Sequence, residues 1–211
     1  MKFPFTSIID ISWPISPSMT SYKDNKPVSF TQLKTFDKNH VRDSAFYVNT
    51  HTGTHVDAPS HFLAQEKHVD SFNLKQFLGT CSVFDFTHIN DYISQKDLTS
   101  LPIEDNSIIL FKTRNSLLSV TAPFRNDFIY LEASGAHYLV EKKVKAVGID
   151  YLGIEHSQPT HETHTALLSA NCPIIEGLRL AHVQAGNYFF IFLPLALQGL
   201  EAAPGRAILL A

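Results

Sequence analysis

Short apolar, β-branched or aromatic runs recur along the chain, each of strand length and flanked by turn-forming residues. Six stand out: Ser82-Val-Phe-Asp-Phe86, Ser107-Ile-Ile-Leu-Phe111, Asp127-Phe-Ile-Tyr-Leu131, Ala146-Val-Gly-Ile-Asp150, Tyr188-Phe-Phe-Ile-Phe-Leu193 and Arg206-Ala-Ile-Leu-Leu210. Several are apolar at nearly every position, which predicts strands covered on both faces. Helical patterns lie between them. Ser134 to Lys143 opens on a capping serine and closes on lysines that suit a helix C-terminus. Asn73 to Leu78, with Asn73 as cap, and Thr160 to Ser169 are two further candidates. Helices interspersed among buried strands predict an α/β fold with a mixed, largely buried sheet. No repeat, low-complexity tract or linker divides the chain, so residues 1–211 read as a single domain.

Composition narrows the function. Hydrophobic residues at 44% and charged residues at 18% give an ordinary globular balance rather than a disordered one. A net charge of -3 without a basic stripe argues against a nucleic-acid partner. Lys142, Lys143 and Lys145 come nearest to a basic cluster and read as the solvated end of a helix. The opening Met1-Lys-Phe-Pro-Phe-Thr-Ser-Ile8 lacks a signal-peptide pattern, and the most apolar stretch, Tyr188 to Leu197, contains Pro194 and is too short to span a bilayer. No membrane association is expected. Cys81 and Cys172 are too few for a disulfide framework and sit beside apolar runs. Buried, reduced thiols and a cytoplasmic location follow as expectations.

The chain has eleven histidines, and their placement matters more than their number. His51-Thr-Gly-Thr-His55-Val-Asp57-Ala-Pro-Ser-His61 puts three histidines and an aspartate at odd positions, on one face of an extended segment. A straight strand would separate His51 from His55 by about 13 Å, too far to share an ion. A regular helix would turn Asp57 away from His55. Gly53, free to adopt angles closed to other residues, and Pro59 therefore predict a bent, non-helical segment. Two neutral imidazoles and a carboxylate form a recurrent ligand set for zinc, manganese or iron, and Asp57 has a second oxygen with which to bridge two ions. Three protein ligands leave a position for water, whose pKa falls from about 15.7 toward 7 on a divalent ion.

A second cluster comprises His156, His161, Glu162, His164 and, further on, Glu176. His161-Glu-Thr-His164 is one residue short of the zinc-protease helix motif, so its histidines would not fall at i and i+4. Glu176 follows a strand-like run and precedes Gly177; spacing leaves it open as ligand or turn former. Asp150, at the end of another strand-like run, is a weak candidate to face a site. A nucleophile elbow, a phosphate-binding Gly-rich loop, a dinucleotide fingerprint and a Cys-x-x-Cys pair are all missing.

The segment from His51 to Phe62 resembles the signature of the cyclase superfamily, which includes the bacterial kynurenine formamidases. The similarity extends to Ile9-Asp-Ile-Ser12 with Pro14-Ile15, Gly148-Ile-Asp150, Ile174-Ile-Glu176-Gly-Leu178, Leu193-Pro-Leu195 and Gly199-Leu-Glu-Ala-Ala-Pro204. The resemblance implies a swivelling β/β/α fold, a homodimer or larger assembly, and one or two divalent metals per subunit, with zinc ahead of manganese. Residue by residue, it implies that His51, His55, Asp57, His164 and Glu176 are the metal ligands and His61 the catalytic histidine.

The implied reaction is hydrolysis of an amide, foremost an aryl formamide such as N-formylkynurenine of tryptophan catabolism, with His61 as proton donor to the leaving nitrogen. A small aromatic substrate is the expected partner. One departure bears on that substrate. Formamidases of the family often carry Trp-Pro-Gly-Asp after the opening strand, whereas this chain reads Thr20-Ser-Tyr22-Lys-Asp24-Asn-Lys-Pro27. Tyr22 is the candidate to replace the Trp as an aromatic wall, and Phe62 a candidate to line the pocket. Hydrolysis of a cyclic amide or lactone, as in isatin hydrolases, a ring-forming cyclase, and a non-catalytic metal-binding protein of the same fold are the alternatives.

Overall fold

The computed structural model describes residues 5–25, 27–64 and 67–211; residues 1–4 of the opening stretch and Lys26 of the 20–27 segment lie outside the described residues. The strands are β1 (Ile8–Asp10), β2 (Ser29–Lys34), β3 (Asp43–Tyr47), β4 (His55–Asp57), β5 (Leu78–Asp85), β6 (Tyr92–Ile93), β7 (Ile108–Lys112), β8 (Tyr130–Leu131), β9 (Ala146–Ile149), β10 (Ile174–Glu176), β11 (Gly186–Pro194) and β12 (Ala202–Leu210). The helices are α1 (Phe36–Asn39), α2 (Gln95–Leu98), α3 (Ala133–Glu141) and α4 (Glu162–Ser169).

Eight strands form one mixed sheet in the order β1-β12-β11-β5-β7-β9-β10-β4, and β4 pairs back onto β12. Strands β5, β7, β9 and β10 run parallel. Both β4 and β1 lie on β12, at Ala202–Pro204 and Ile208–Leu210 respectively, so the sheet closes while β1 continues past the closure. Closure removes the exposed edges of an open sheet. The expected α/β class with a mixed, buried sheet is what forms.

Side-chain alternation along each strand divides the apolar residues between two cores. Ile108, Leu110, Ala146, Ile175, Val56 and Leu209 share the core enclosed by the sheet with Phe190 and Phe192. Ile109, Phe111, Val147, Ile149 and Ile174 face outward, where Leu98 of α2, Ala136 and Leu139 of α3, and Leu167 and Leu168 of α4 cover them. Every residue of β9 is buried, as its unbroken apolar run requires. Because Val56 points inward, His55 and Asp57 must point outward, onto the helix side.

Five of the six expected strands coincide with β5, β7, β9, β11 and β12. The 127–131 run shrinks to β8, paired with β6 in a small separate sheet. Asp127 is exposed and tied to Arg125, and the Ile129 N–H donates to Asn115 Oδ1 (2.9 Å) rather than to a neighbouring strand. Helix α3 is capped by Glu132, which accepts from Ser134 N (2.9 Å), and it ends at Glu141 before the lysines. Asn73 caps as expected, in a reciprocal pair with Gln76, but the element is a single 3-10 turn over Leu74–Phe77. Cys81 and Cys172 are free and buried, and burial pushes both thiols up to about 12.

Asp150 is not among the residues that line the cavity described below. It is fully buried and accepts from Thr113 N (2.7 Å), Thr113 Oγ1 (2.8 Å), Ser116 N (3.1 Å) and Ser116 Oγ (2.6 Å), fastening β9 to the turn after β7. Burial pushes its carboxyl up to about 6 against the pull of these bonds. Replacement by Asn turns an amide N–H toward buried donors. Asp150→Asn should therefore lose about 2–3 kcal/mol of stability, read as a lower urea midpoint at unchanged slope; an unchanged midpoint contradicts this role.

Candidate metal centre and active site

The chain turns sharply at Gly53, where φ is +62°, and the His51 and His55 rings come to 5.0 Å between centroids. Gly177, at φ +70°, sits against that turn: a Cβ there would lie 2.1 Å from the Gly53 carbonyl oxygen. Only a residue without a side chain fits, and the contact holds the β10 end against the β4 start. Thr54 fixes it further, donating to Gly177 O (2.7 Å) while accepting from Trp13 N (2.7 Å). In the resulting register Glu176 lies directly opposite His55. One 3-10 turn over Pro59–His61 then returns His61 to within 4.2 Å of the His51 ring, and α4 supplies His164 with its ring centroid 5.9 Å from that of His61.

All six expected residues are thereby gathered around Asp57. Its Oδ1 lies 3.0 Å from His51 Nδ1 and 3.5 Å from His55 Nε2, and its Oδ2 lies 3.5 Å from His164 Nε2. Glu176 reaches His55 Nε2 and His164 Nε2, each at 3.5 Å, and accepts from the Ile154 N–H at 2.6 Å. His55 Nδ1 faces the Gly53 carbonyl at 2.9 Å; a carbonyl only accepts, so the proton sits on Nδ1 and Nε2 is left toward the carboxylates.

Burial works against every charge here, and the histidine–carboxylate pairing outweighs it. Burial pushes Asp57 up, but His51, His164 and His55 hold it well below the usual range. Burial and the Asp57 charge push Glu176 up, but His164 and His55 bring it down to about 2. Burial lowers His164 and His55, yet the facing carboxylates leave both raised, His164 strongly. His61 goes the other way. Burial pushes it down to about 4; the Asp57 charge resists, and His51 and His164 add to the fall. His61 is therefore a neutral base at pH 7.

The donor set fits a divalent ion. His55 Nε2 and both Asp57 oxygens are buried without a hydrogen-bond partner. Unpartnered buried polar groups each cost about 1–3 kcal/mol, and more when charged. Neutral imidazoles and carboxylates converging on one point are what zinc and manganese accept. Donor atoms of His55, Asp57 and Glu176 lie within 4.8 Å of one another, as do those of His51, Asp57 and His61. Asp57 belongs to both of these groups; a third, Glu155, His161 and His164, lies beside them without it.

Of the other histidines in the second cluster, His156 and His161 line the cavity above these residues, whereas Glu162 pairs with His137 at the surface (3.2 Å). Two acids were not singled out from sequence. Glu155 lies beside His161 and His164, and Glu201 accepts from Thr50 Oγ1 (2.7 Å) with His51 Nε2 at 3.5 Å. The adjacency of Glu155 to His156 was the available signal for the first. Nothing in spacing relates Glu201 to His51, since only the pairing of β12 with β4 brings them together. The cavity measures about 590 Å³, with Tyr22, Phe62, Phe124 and Phe128 among its walls. Tyr22 packs edge-on against Phe124 at 5.0 Å, so it does supply an aromatic wall.

Three histidines and two carboxylates converging at the floor of a cavity, with a neutral histidine beside them, define a metal-binding enzyme site. The Cyclase family model matches residues 9–156, and the chain belongs to the cyclase family. It is 31% identical to the kynurenine formamidase of Salinibacter ruber over 206 residues, covering 96% of this chain and 97% of that one. Its fold is similar to that of a protein described as a predicted metal-dependent hydrolase from Bacillus stearothermophilus, with TM-score 0.87, 39% identity, and coverage of 97% and 98%. Isatin hydrolase A from Ralstonia solanacearum shares the fold at TM-score 0.86 and 20% identity, covering 97% of this chain and 92% of that one.

A metal ion must displace the proton that the raised His164 holds at neutral pH. Zinc binding to metal-free protein at pH 7 should therefore release at least one proton, read as a binding enthalpy that changes with the ionisation heat of the buffer. Buffer-independent enthalpy contradicts the electrostatics described.

Proposed function

We propose that this protein is a metal-dependent amide hydrolase acting on aryl formamides, with N-formylkynurenine the foremost candidate. The observation that carries the proposal is the buried Asp57 cluster with unpartnered donor atoms, beside a neutral His61, at the floor of a cavity with aromatic walls. The kynurenine formamidase relative, similar along almost its whole length, supports the substrate.

His51, His55, Asp57, His164 and Glu176 would hold one or two divalent ions, zinc first and manganese second. When bound, the metal supplies Lewis acidity toward the carbonyl and acidifies water. The aryl ring lies against Tyr22, Phe62, Phe124 or Phe128, which places the formyl group over the cluster. His61, neutral at the start, takes a proton from the attacking water as the C–O bond forms. It then gives that proton to the leaving nitrogen as the C–N bond breaks and the nitrogen recovers its lone pair. Formate and an arylamine result, and His61 returns to its neutral state.

A second reading, hydrolysis of a cyclic amide or lactone, is favoured by one feature: the Tyr22 to Pro27 segment, where the formamidase Trp-Pro-Gly-Asp run is absent. The assembly is proposed to be a homodimer or larger. The β2–β3 hairpin supports it, since it is exposed throughout and carries Phe30 (52% exposed) and Phe46 (66%), apolar surface of the kind that partners cover. Two buried free thiols support a cytoplasmic location.

Metal-loaded protein assayed with N-formylkynurenine, isatin and a simple lactone should turn over the first fastest. A preference for isatin or the lactone replaces the first reading with the second, and no turnover of any of the three contradicts both. With the preferred substrate, His61→Ala should lose roughly 10²–10⁴ in kcat while keeping its metal. Full turnover by that variant removes His61 from the proton-transfer role.

A further inference from the structure

Helix α4 begins at Glu162, and the first N–H groups of any helix lack partners within it. Its N-cap residue, His161, has left-handed backbone angles and offers no capping side chain. Two side chains from the preceding loop do the work instead. Gln158 Oε1 accepts from Thr163 N (3.1 Å), and Glu155 Oε2 accepts from His164 N (3.1 Å). Glu155 is thus anchored by the backbone of the same residue whose ring it flanks. Its Oε2 lies 3.0 Å from His164 Nδ1, off-axis for a hydrogen bond, and its Oε1 touches His161 Nδ1. The other edge of the His164 ring, Nε2, faces Asp57 and Glu176.

We infer that Glu155 is a positioning residue that holds the Nδ1 proton of His164 and so presents the Nε2 lone pair to a metal ion at the Asp57–Glu176 carboxylates. The inference rests on the metal-centre reading above. Carboxylates, which only accept, face both ring edges, but Glu155 stands closer to Nδ1 (3.0 Å) than Asp57 and Glu176 stand to Nε2 (3.5 Å each), so the single proton of a neutral His164 belongs on Nδ1. This parallels His55, where the Gly53 carbonyl fixes the tautomer in the same sense. A helix cap alone needs no charge, because a glutamine offers the same oxygen to a backbone N–H. Yet a carboxylate stands here with its side chain only 6% exposed. Charge at that depth is expensive unless it serves a partner, and a carboxylate behind a ligating imidazole raises the basicity of the ligand.

The test compares Glu155→Gln with Gln158→Ala, which removes the neighbouring cap without touching His164. Zinc affinity is measured by competition with a chromophoric chelator, a readout independent of any turnover. Glu155→Gln should bind zinc roughly 10–100-fold more weakly, whereas Gln158→Ala should lower the melting temperature with zinc affinity unchanged. Wild-type zinc affinity in a folded Glu155→Gln protein, or an equal loss in both variants, overturns the inference. Should Glu155→Gln fail to fold, the histidine ¹⁵N resonances of zinc-loaded wild type decide. Protonated Nδ1 with ligated Nε2 at His164 is expected, and the reverse tautomer overturns the assignment. A protein whose zinc affinity depends on Glu155 but which hydrolyses no formamide would refute the proposed substrate and leave this inference intact.

Discussion

Two carboxylates, Asp57 and Glu176, are buried in contact with three histidines, and the rest of the structure is arranged around tolerating that. Charge removed from water is strongly unfavourable unless it is paired, and here the pairing is incomplete: both Asp57 oxygens lack hydrogen-bond donors. The surrounding fold supplies the rigidity such a cluster needs. Three of the five donors stand on paired strands of a closed sheet, at His55, Asp57 and Glu176, where register rather than side-chain freedom sets their separation. His51 is delivered by the Gly53 turn and His164 by the first turn of α4. A divalent cation is the natural complement of this geometry, since it neutralises both carboxylates and uses the imidazole lone pairs at once.

The two-sided character of the sheet is what makes room for chemistry. Its enclosed face is filled with apolar side chains, including Val56, Ile175 and Ala203, so nothing polar is asked of it. The outer face is covered by helices along β7 and β9, and the β4–β10 end faces the start of α4 and the loop before it. That loop contributes the Ile154 N–H to Glu176 and the Glu155 carboxylate beside His164. The cavity occupies this corner; among its aromatic walls, Phe62 packs on the helix-side core, whereas Tyr22, Phe124 and Phe128 belong to a third apolar cluster around Trp13 and Tyr151.

Much of this was legible in the sequence because the relevant signals are local. The run from His51 to His61 carries its own geometry: alternation fixes the shared face of His55 and Asp57, and Gly53 announces the bend. Apolar runs disclosed β7 and β9 because strands buried on both faces leave almost no polar positions, and they disclosed β11 and β12 although Asn187, Leu193 and Arg206 there are exposed. What was not legible depends on contacts between distant segments. Spacing could not select His164 over His156 or His161, nor Glu176 as ligand over turn former; the family resemblance did that. Asp150 ends a strand as a site residue would, yet it binds Thr113 and Ser116. Asp127 to Leu131 is apolar enough for a full strand, but Asn115 takes the Ile129 N–H first. Closure of the sheet, which brings Glu201 to His51, leaves no trace in either segment alone.

Asp57 is shared by the two donor groups built from the expected ligands, and metal content tests that shared position most directly. Elemental analysis of purified Asp57→Asn protein, reconstituted with zinc beside wild type, removes one charge and changes little else. The variant should fold and lose the zinc held by the His51–Asp57–His61 and His55–Asp57–Glu176 groups, both of which contain Asp57, leaving at most what Glu155, His161 and His164 can bind. A folded Asp57→Asn protein carrying the wild-type complement of metal would contradict this role of Asp57.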